Sequence, residues 1–437
     1  MTSRRDFIQT MGLGAVALPT GLASAPAHLF APGPQNDEPV STAVTIGALA
    51  ARFDDVDPRE AARDEDFWYV VQKAYRQSPH FINLESGYYS PSPIEVMEAQ
   101  IANIRAINET PSFYMRRKQF QDQADVKKAF GEFAGADPSE FVICRNTTEA
   151  LNTVIHGIEM APGDEALMCD REYGSMLEAW NQRAARTGIT LKIIQLPLVP
   201  ESQDEIVRIY ERAVTPKTKV LHVSHMIYLT GQVLPVRAIA DMAHARGLEV
   251  IVDAAHSFAH LEWKLPDLGA DYLGSSLHKW LGAPLGSGLL YVRRDKIARL
   301  WPLLGDSRFA SDDIAKLEHI GTHPRSTDLA IISAVRFHEA IGSKRKEERL
   351  RYLKNYWASK AAEIPGVTIN TPMQDEMSCA IANVIVRGMT PGELVDRLWD
   401  EHRIFTVAVE QGARIAPNLW TRLEHLDALV DAIRGMA

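Results

Sequence analysis

Between residues 140 and 293 the chain alternates short β-branched runs with amphipathic stretches. Residues 140–145 (EFVICR), 166–170, 190–196, 220–225, 250–254, 272–275 and 289–293 read as strands, since brief apolar runs bounded by turn formers suit a buried strand. Residues 147–160, 175–187, 204–214 and 236–246 carry apolar side chains at helical spacing. Strands apolar along their whole length, separated by helices, predict a mostly parallel seven-stranded sheet covered on both faces, an α/β fold. Such sheets bind ligands at the C-terminal ends of their strands, so residues carrying chemistry are expected just after a strand.

On either side the texture differs. Residues 54–76 read as a helix with Phe67, Val70, Val71 and Ala74 on one face, and residues 83–93 as a loop dense in turn formers and aromatics. There Gly87 beside Tyr88 shapes a pocket wall, or the loop is a plain connector. Beyond residue 325 a helical stretch at 328–362, strands at 367–370, 381–386 and 404–409, and a closing helix at 423–434 predict a smaller α+β domain. Its KRKEERLR run, residues 344–351, reads as a solvated helix face. The expected division is a signal peptide at 1–27, a linker and N-terminal helical segment at 28–80, a large domain at 81–325 and a small C-terminal domain at 326–437.

Composition narrows the class. The chain has 437 residues, 46% hydrophobic and 24% charged, and a net charge of −9, which argues against a sequence-independent grip on nucleic acid. Cys144, Cys169 and Cys379 are too few and too scattered for a disulfide framework or a thiolate metal site. The N-terminus is more specific: Arg4-Arg5 with Phe7, then an apolar run at 11–22, then Ala25-Pro26-Ala27. That order fits a twin-arginine signal peptide cleaved before His28, without a permanent membrane anchor, and predicts export of the folded protein, to the periplasm, through the twin-arginine machinery.

The candidate chemistry falls at strand ends. Lys279 sits in SSLHKWLGAPLGSG, preceded by Ser276 and His278 and followed by Gly282, Gly286 and Gly288. Hydroxyls and an imidazole beside it suit a phosphate, and a lysine so held suits a Schiff base with a carbonyl cofactor. Thr147-Thr148 open a helix directly after a strand, as a cap or as a phosphate cradle built on the helix N-terminus. Tyr173 follows the second strand, packing in the core or stacking on a planar ring. Asp253 ends an apolar strand and needs a cationic or hydrogen-bonding partner; a protonated pyridine nitrogen would serve. The rival reading, a zinc site from Asp253, His256 and His260, leaves the lysine and the threonine pair unexplained, and no metal is expected.

Taken in order, NTTEA, VDAAHS, SSLHKW and RIAPN resemble the class V aminotransferase family of fold-type I pyridoxal-phosphate enzymes from about residue 83 to the C-terminus. ETPSFYMRR, GADPSEFVICRNTTEALN and DEHRIF are most similar to its isopenicillin N epimerase-like branch. The resemblance implies pyridoxal 5'-phosphate as cofactor, with Lys279 attached to it and moving the Cα proton. It implies Asp253 on the pyridinium, His256 near the ring hydroxyl, Tyr173 on the ring face, and Thr147, Thr148, Ser276 and His278 on the phosphate. It also implies a homodimer in which Thr322 reaches the partner's phosphate. Arg414 would receive the substrate carboxylate, and Gly87 and Tyr88 would line the substrate side.

Two departures matter. The stretch FTVAVEQGA at 405–413 has no cysteine, which argues against cysteine desulfurase activity. Tyr228 stands where relatives often carry asparagine, and its role is open. The expected activity is aminotransferase-type chemistry at the α-carbon of a small-molecule or peptide-borne amine, with epimerisation or β-elimination as alternatives; a non-catalytic binding protein would not need the lysine.

Overall fold

The computed structural model describes residues 42–437, so the twin-arginine segment, the apolar run and the cleavage site lie outside the described residues. In chain order the first elements are helix α1 (Thr42–Ala50), strand β1 (Ile82–Asn83) and helices α2 (Ile94–Glu109) and α3 (Gln119–Ala134). The alternating region runs β2 (Phe141–Cys144), α4 (Thr147–Gly157), β3 (Glu165–Cys169), α5 (Gly174–Thr187), β4 (Thr190–Ile194) and α6 (Gln203–Ala213). It continues with β5 (Thr218–Ser224), α7 (Val236–His244), β6 (Glu249–Asp253), β7 (Tyr272–Ser276) and β8 (Gly288–Val292). Then come α8 (Arg325–Ile341), α9 (Ser343–Ala362), β9 (Val367–Ile369), β10 (Ala382–Val386) and α10 (Pro391–His402). The chain closes with β11 (Ile404–Phe405), β12 (Val407–Val409), β13 (Gly412–Ile415) and α11 (Leu423–Met436).

The seven expected strands form one sheet in the order β2-β8-β7-β6-β5-β3-β4. Only β8 runs antiparallel to its neighbours; the other pairs are parallel. Side chains alternate between two apolar layers. Leu221, Val223, Val250 and Val252 pack with residues of α3, α6 and α7, while Val220 and Ile251 pack with residues of α4 and α5. Burial on both faces explains why the strands are apolar along their length. Each fully buried Leu, Ile or Val contributes roughly 1.5–3 kcal/mol, which makes the sheet a firm floor. At Gly274 in β7 a Cβ would lie 2.7 Å from Leu151 Cγ, so α4 rests directly on the strand. A four-stranded antiparallel sheet, β12-β13-β10-β9, and the parallel pair β1-β11 complete the described strands.

Several expectations need correction. Residues 54–76 are not one helix: Asp57 and Asp64 cap two short ones, Pro58–Ala61 and Glu65–Lys73, accepting from the Arg59 and Phe67 N–H groups. The stretch at 328–362 is two helices, broken at Gly342, whose φ of +89° a helix cannot contain. Residues 404–409 split because β11 pairs with β1 while β12 turns onto β13. The charged run at 344–351 is not solvated: Lys346 to Arg351 are all buried. Several of its charges are paired internally, Arg351 with Glu347 and Glu348 and Arg349 with Glu65, which spares those groups the cost of an unpaired buried ion, whereas Lys346 has only polar neighbours.

Candidate active site

The C-terminal ends of β5, β6 and β7 and the start of α4 enclose a cavity of about 320 Å³. Of the residues singled out above, Tyr88, Thr147, Thr148, Tyr173, Asp253, His256, Ser276, His278 and Lys279 all line it. Gly87, Thr322 and Arg414 do not.

One end is built for an anion. The Asn146 side chain caps α4 by accepting from the Glu149 N–H at 2.9 Å, so the threonines occupy the first helical turn, whose N–H groups have no partner within the helix backbone. The Thr147 N–H donates to Ser276 Oγ at 3.0 Å, and the two hydroxyls lie 2.8 Å apart. This ties the helix start to the end of β7. His278 donates from Nδ1 to the Ser287 carbonyl at 3.1 Å, which fixes its orientation. Gly288 makes the arrangement possible, because a Cβ there would sit 2.5 Å from the Asn146 backbone.

The other end gathers the titratable side chains. Lys279 is half-buried, and desolvation pushes its ammonium down to about 8. Its Nζ lies 3.2 Å from His256 Nε2. Burial, with the nearby Lys279 and Arg414 charges, keeps the His256 imidazole neutral, its pKa well below normal. Asp253 accepts from the Ala255 N–H at 2.9 Å, and burial raises its pKa. It makes no ion pair closer than 4 Å among the described residues, so its carboxylate faces the cavity in want of a cation. Beneath it Glu172, raised to about 7 by burial, accepts from the Ser224 N–H at 3.3 Å and from Ser224 Oγ.

The residues fit pyridoxal phosphate on these observations. The helix N-terminus with paired hydroxyls suits a phosphate. The buried Asp253 suits a ring cation, and His256 Nδ1 is buried without a hydrogen-bond partner. Tyr173 lies along the wall, its ring centroid 6.0 Å from Lys279 Nζ. The zinc alternative fails: His260 uses both ring nitrogens, Nδ1 toward the His256 carbonyl at 2.8 Å and Nε2 toward the Ala380 N–H at 2.9 Å. Among the described residues no group of three or more His, Cys, Asp and Glu could hold a metal ion.

Arg414 is fully buried and off the cavity wall. Its guanidinium donates to Glu85 through Nε at 3.1 Å and Nη2 at 2.6 Å, and to the Tyr228 carbonyl at 2.9 Å. The Tyr88 ring covers it, with its centroid 4.0 Å away. Gly87 lies so close that a Cβ would be 3.0 Å from the guanidinium carbon. Thr322 is exposed and outside its own chain's cavity. Tyr228 lines the cavity in edge contact with Tyr173, centroids 5.3 Å apart. Sequence reasoning missed Glu85, along with Ser224 and Met226 on the wall. The one legible signal for Glu85 is a carboxylate set among the turn formers and aromatics of residues 83–89.

The class-V aminotransferase family model matches residues 87–429. An isopenicillin N epimerase of Streptomyces clavuligerus is 29% identical over 391 residues, 84% of this chain and 98% of the relative. A probable cysteine desulfurase of Mycolicibacterium paratuberculosis is 27% identical over 342 residues, 72% of this chain and 48% of the relative. A solved cysteine desulfurase from Thermococcus onnurineus NA1 superposes with a TM-score of 0.73 at 22% identity, covering 85% of this chain and 98% of that one. The fold is that of the fold-type I pyridoxal-phosphate enzymes. With the family model spanning most of its length, this chain belongs to the class-V aminotransferase family.

Proposed function

We propose that the protein is a pyridoxal-phosphate-dependent enzyme acting at the α-carbon of an amino-acid or amine substrate, with aminotransferase-type chemistry. The observation that carries this is the convergence of Lys279, Asp253 and the Thr147–Ser276 cradle on one cavity. The cofactor is pyridoxal phosphate, which when bound supplies an electron sink for the carbanion formed at the substrate carbon. Thr147, Thr148, Ser276 and His278 would hold its phosphate, and Asp253 its ring nitrogen. Lys279 would hold it through its amine and would serve as the base that takes the substrate Cα proton. An amine depressed to about 8 is partly neutral near pH 7–8, as a base must be. His256, neutral and 3.2 Å away, steadies that proton by accepting a hydrogen bond from the ammonium.

Epimerisation is the second reading, favoured by the isopenicillin N epimerase relative. It needs a proton donor besides Lys279, and Tyr88 and Tyr228, both on the wall and both raised in pKa by burial, are the donors available. Sulfur transfer is disfavoured: Cys144, Cys169 and Cys379 are buried with raised pKa values, and none lines the cavity.

Incubating the cofactor-loaded enzyme with amino acids and peptides separates the readings. Conversion of the cofactor to its amine form supports transamination; solvent deuterium at Cα without conversion supports epimerisation. Export by the twin-arginine route to the periplasm and a homodimer completed by Thr322 belong to the same proposal. Cell fractionation of an Arg4→Lys, Arg5→Lys variant and sedimentation of the purified protein test them.

A further inference from the structure

Arg414 is already bound. Glu85 is placed by the strand-like contact that follows β1: Ser86 N–H donates to the Ala416 carbonyl at 3.1 Å, and Ala416 N–H to the Leu84 carbonyl at 2.7 Å. This sets residues 84–86 alongside 414–416. The Glu85 carboxylate then takes Arg414 Nε and Nη2 in the two-pronged manner that makes such pairs strong, and also accepts from the Tyr88 N–H at 2.9 Å. Glu85 is 6% exposed and Arg414 0%. The Tyr88 ring lies between the guanidinium and the cavity.

A substrate carboxylate reaching the remaining N–H groups of Arg414 would have to move Tyr88 and share the guanidinium with Glu85. Glu85 would then be buried beside a second negative charge, with one cation between the two. A neutral group next to the reacting amine needs no counter-ion and leaves the pair intact. It can instead accept from the phenol of Tyr88 or Tyr228, two residues of the cavity wall that burial keeps protonated.

We propose that Glu85 is a specificity-determining residue that withholds Arg414 from the substrate. The site thereby selects primary amines whose neighbouring group is neutral, such as the N-terminal residue of a peptide or an α-amide, over free α-amino acids. This rests on the cofactor reading above and deepens it.

The test compares matched pairs, L-alanine with L-alaninamide and L-glutamate with its α-amide. They are titrated into the cofactor-loaded enzyme at equal concentrations of unprotonated amine while the cofactor absorption band is followed. The amides should half-saturate at concentrations at least ten-fold lower than the acids. In Glu85→Gln, which leaves Arg414 without its counter-charge, the acids should gain at least ten-fold while the amides change little. A merely structural role for Glu85 would weaken both members of each pair alike. Free acids that bind the wild type as well as their amides would overturn the proposal, and that comparison does not depend on the variant's folding. Calorimetric titration with propionate, which has no amine to react, reads Arg414 directly: no binding to wild type and measurable binding to Glu85→Gln. Should no visible band form with added cofactor, the cofactor reading fails and the propionate result still decides on Glu85; binding of propionate by the wild type would refute it.

Discussion

Replacing Lys346 with methionine should stabilise the protein at neutral pH and do so less at alkaline pH. Lys346 is 3% exposed and makes no salt bridge among the described residues. Its Nζ donates to the Trp280 carbonyl and lies 3.4 Å from His338 Nδ1. Burial lowers its pKa from 10.5 to about 7. The folded pKa lies below the unfolded one, so the unfolded chain holds the extra proton and stability rises with pH across that interval. The gap amounts to about 5 kcal/mol at ~1.4 kcal/mol per pKa unit. This penalty is fully present below pH 7 and is lost as pH climbs toward 10.5. Methionine, of similar reach and uncharged, removes it but forfeits the polar contacts, roughly 1–2 kcal/mol. A net gain of about 3–4 kcal/mol is expected at pH 6.5, shrinking to near zero or reversing by pH 9.5. Urea unfolding midpoints at the two pH values measure it. A variant destabilised equally at both would show that the lysine is held neutral or paired by means other than those described.

Lys279→Ala should fold but fail to retain the cofactor after borohydride reduction; retention read by mass spectrometry would move the attachment to another lysine. With Lys279 near 8, attachment of added cofactor to the cofactor-free protein should speed up as pH rises to about 8 and then level off, as followed by stopped-flow absorbance. A continued rise toward 10.5 would mean the amine is not desolvated in the folded protein. Gly288→Ala forces a Cβ to within 2.5 Å of the Asn146 backbone. Overpacking of that kind costs about 1–3 kcal/mol, and equilibrium dialysis should show cofactor affinity falling more than stability, because the displaced turn is the proposed phosphate cradle. Asp253→Asn should weaken retention of the cofactor and cut turnover at least a hundred-fold while leaving phosphate-only competition unchanged, since asparagine cannot hold a ring proton; near-normal turnover would dismiss its role.

What was legible in the sequence and what was not divide along a physical line. The seven strands and the residues at their ends could be read because burial on both faces writes a continuous apolar signal. The turn after each strand then has few ways to run, so Thr147, Asp253 and Lys279 were placed by their neighbours in the chain. Helix ends were read less well, since breaks at Asp57, Asp64 and Gly342 depend on single caps and one positive φ. The charged run at 344–351 misled for a deeper reason: whether Arg349 is solvated depends on Glu65, 284 residues away in the chain. Arg414 belongs to the same class. Its motif identified an arginine suited to a carboxylate, and the structure supplies that carboxylate from Glu85, 329 residues earlier. Pairing between distant segments leaves no local trace, because each partner alone resembles an ordinary surface charge. The substrate preference of this site is therefore set by the least legible kind of contact, and the residue that tests it, Glu85, stands outside every motif that revealed the rest.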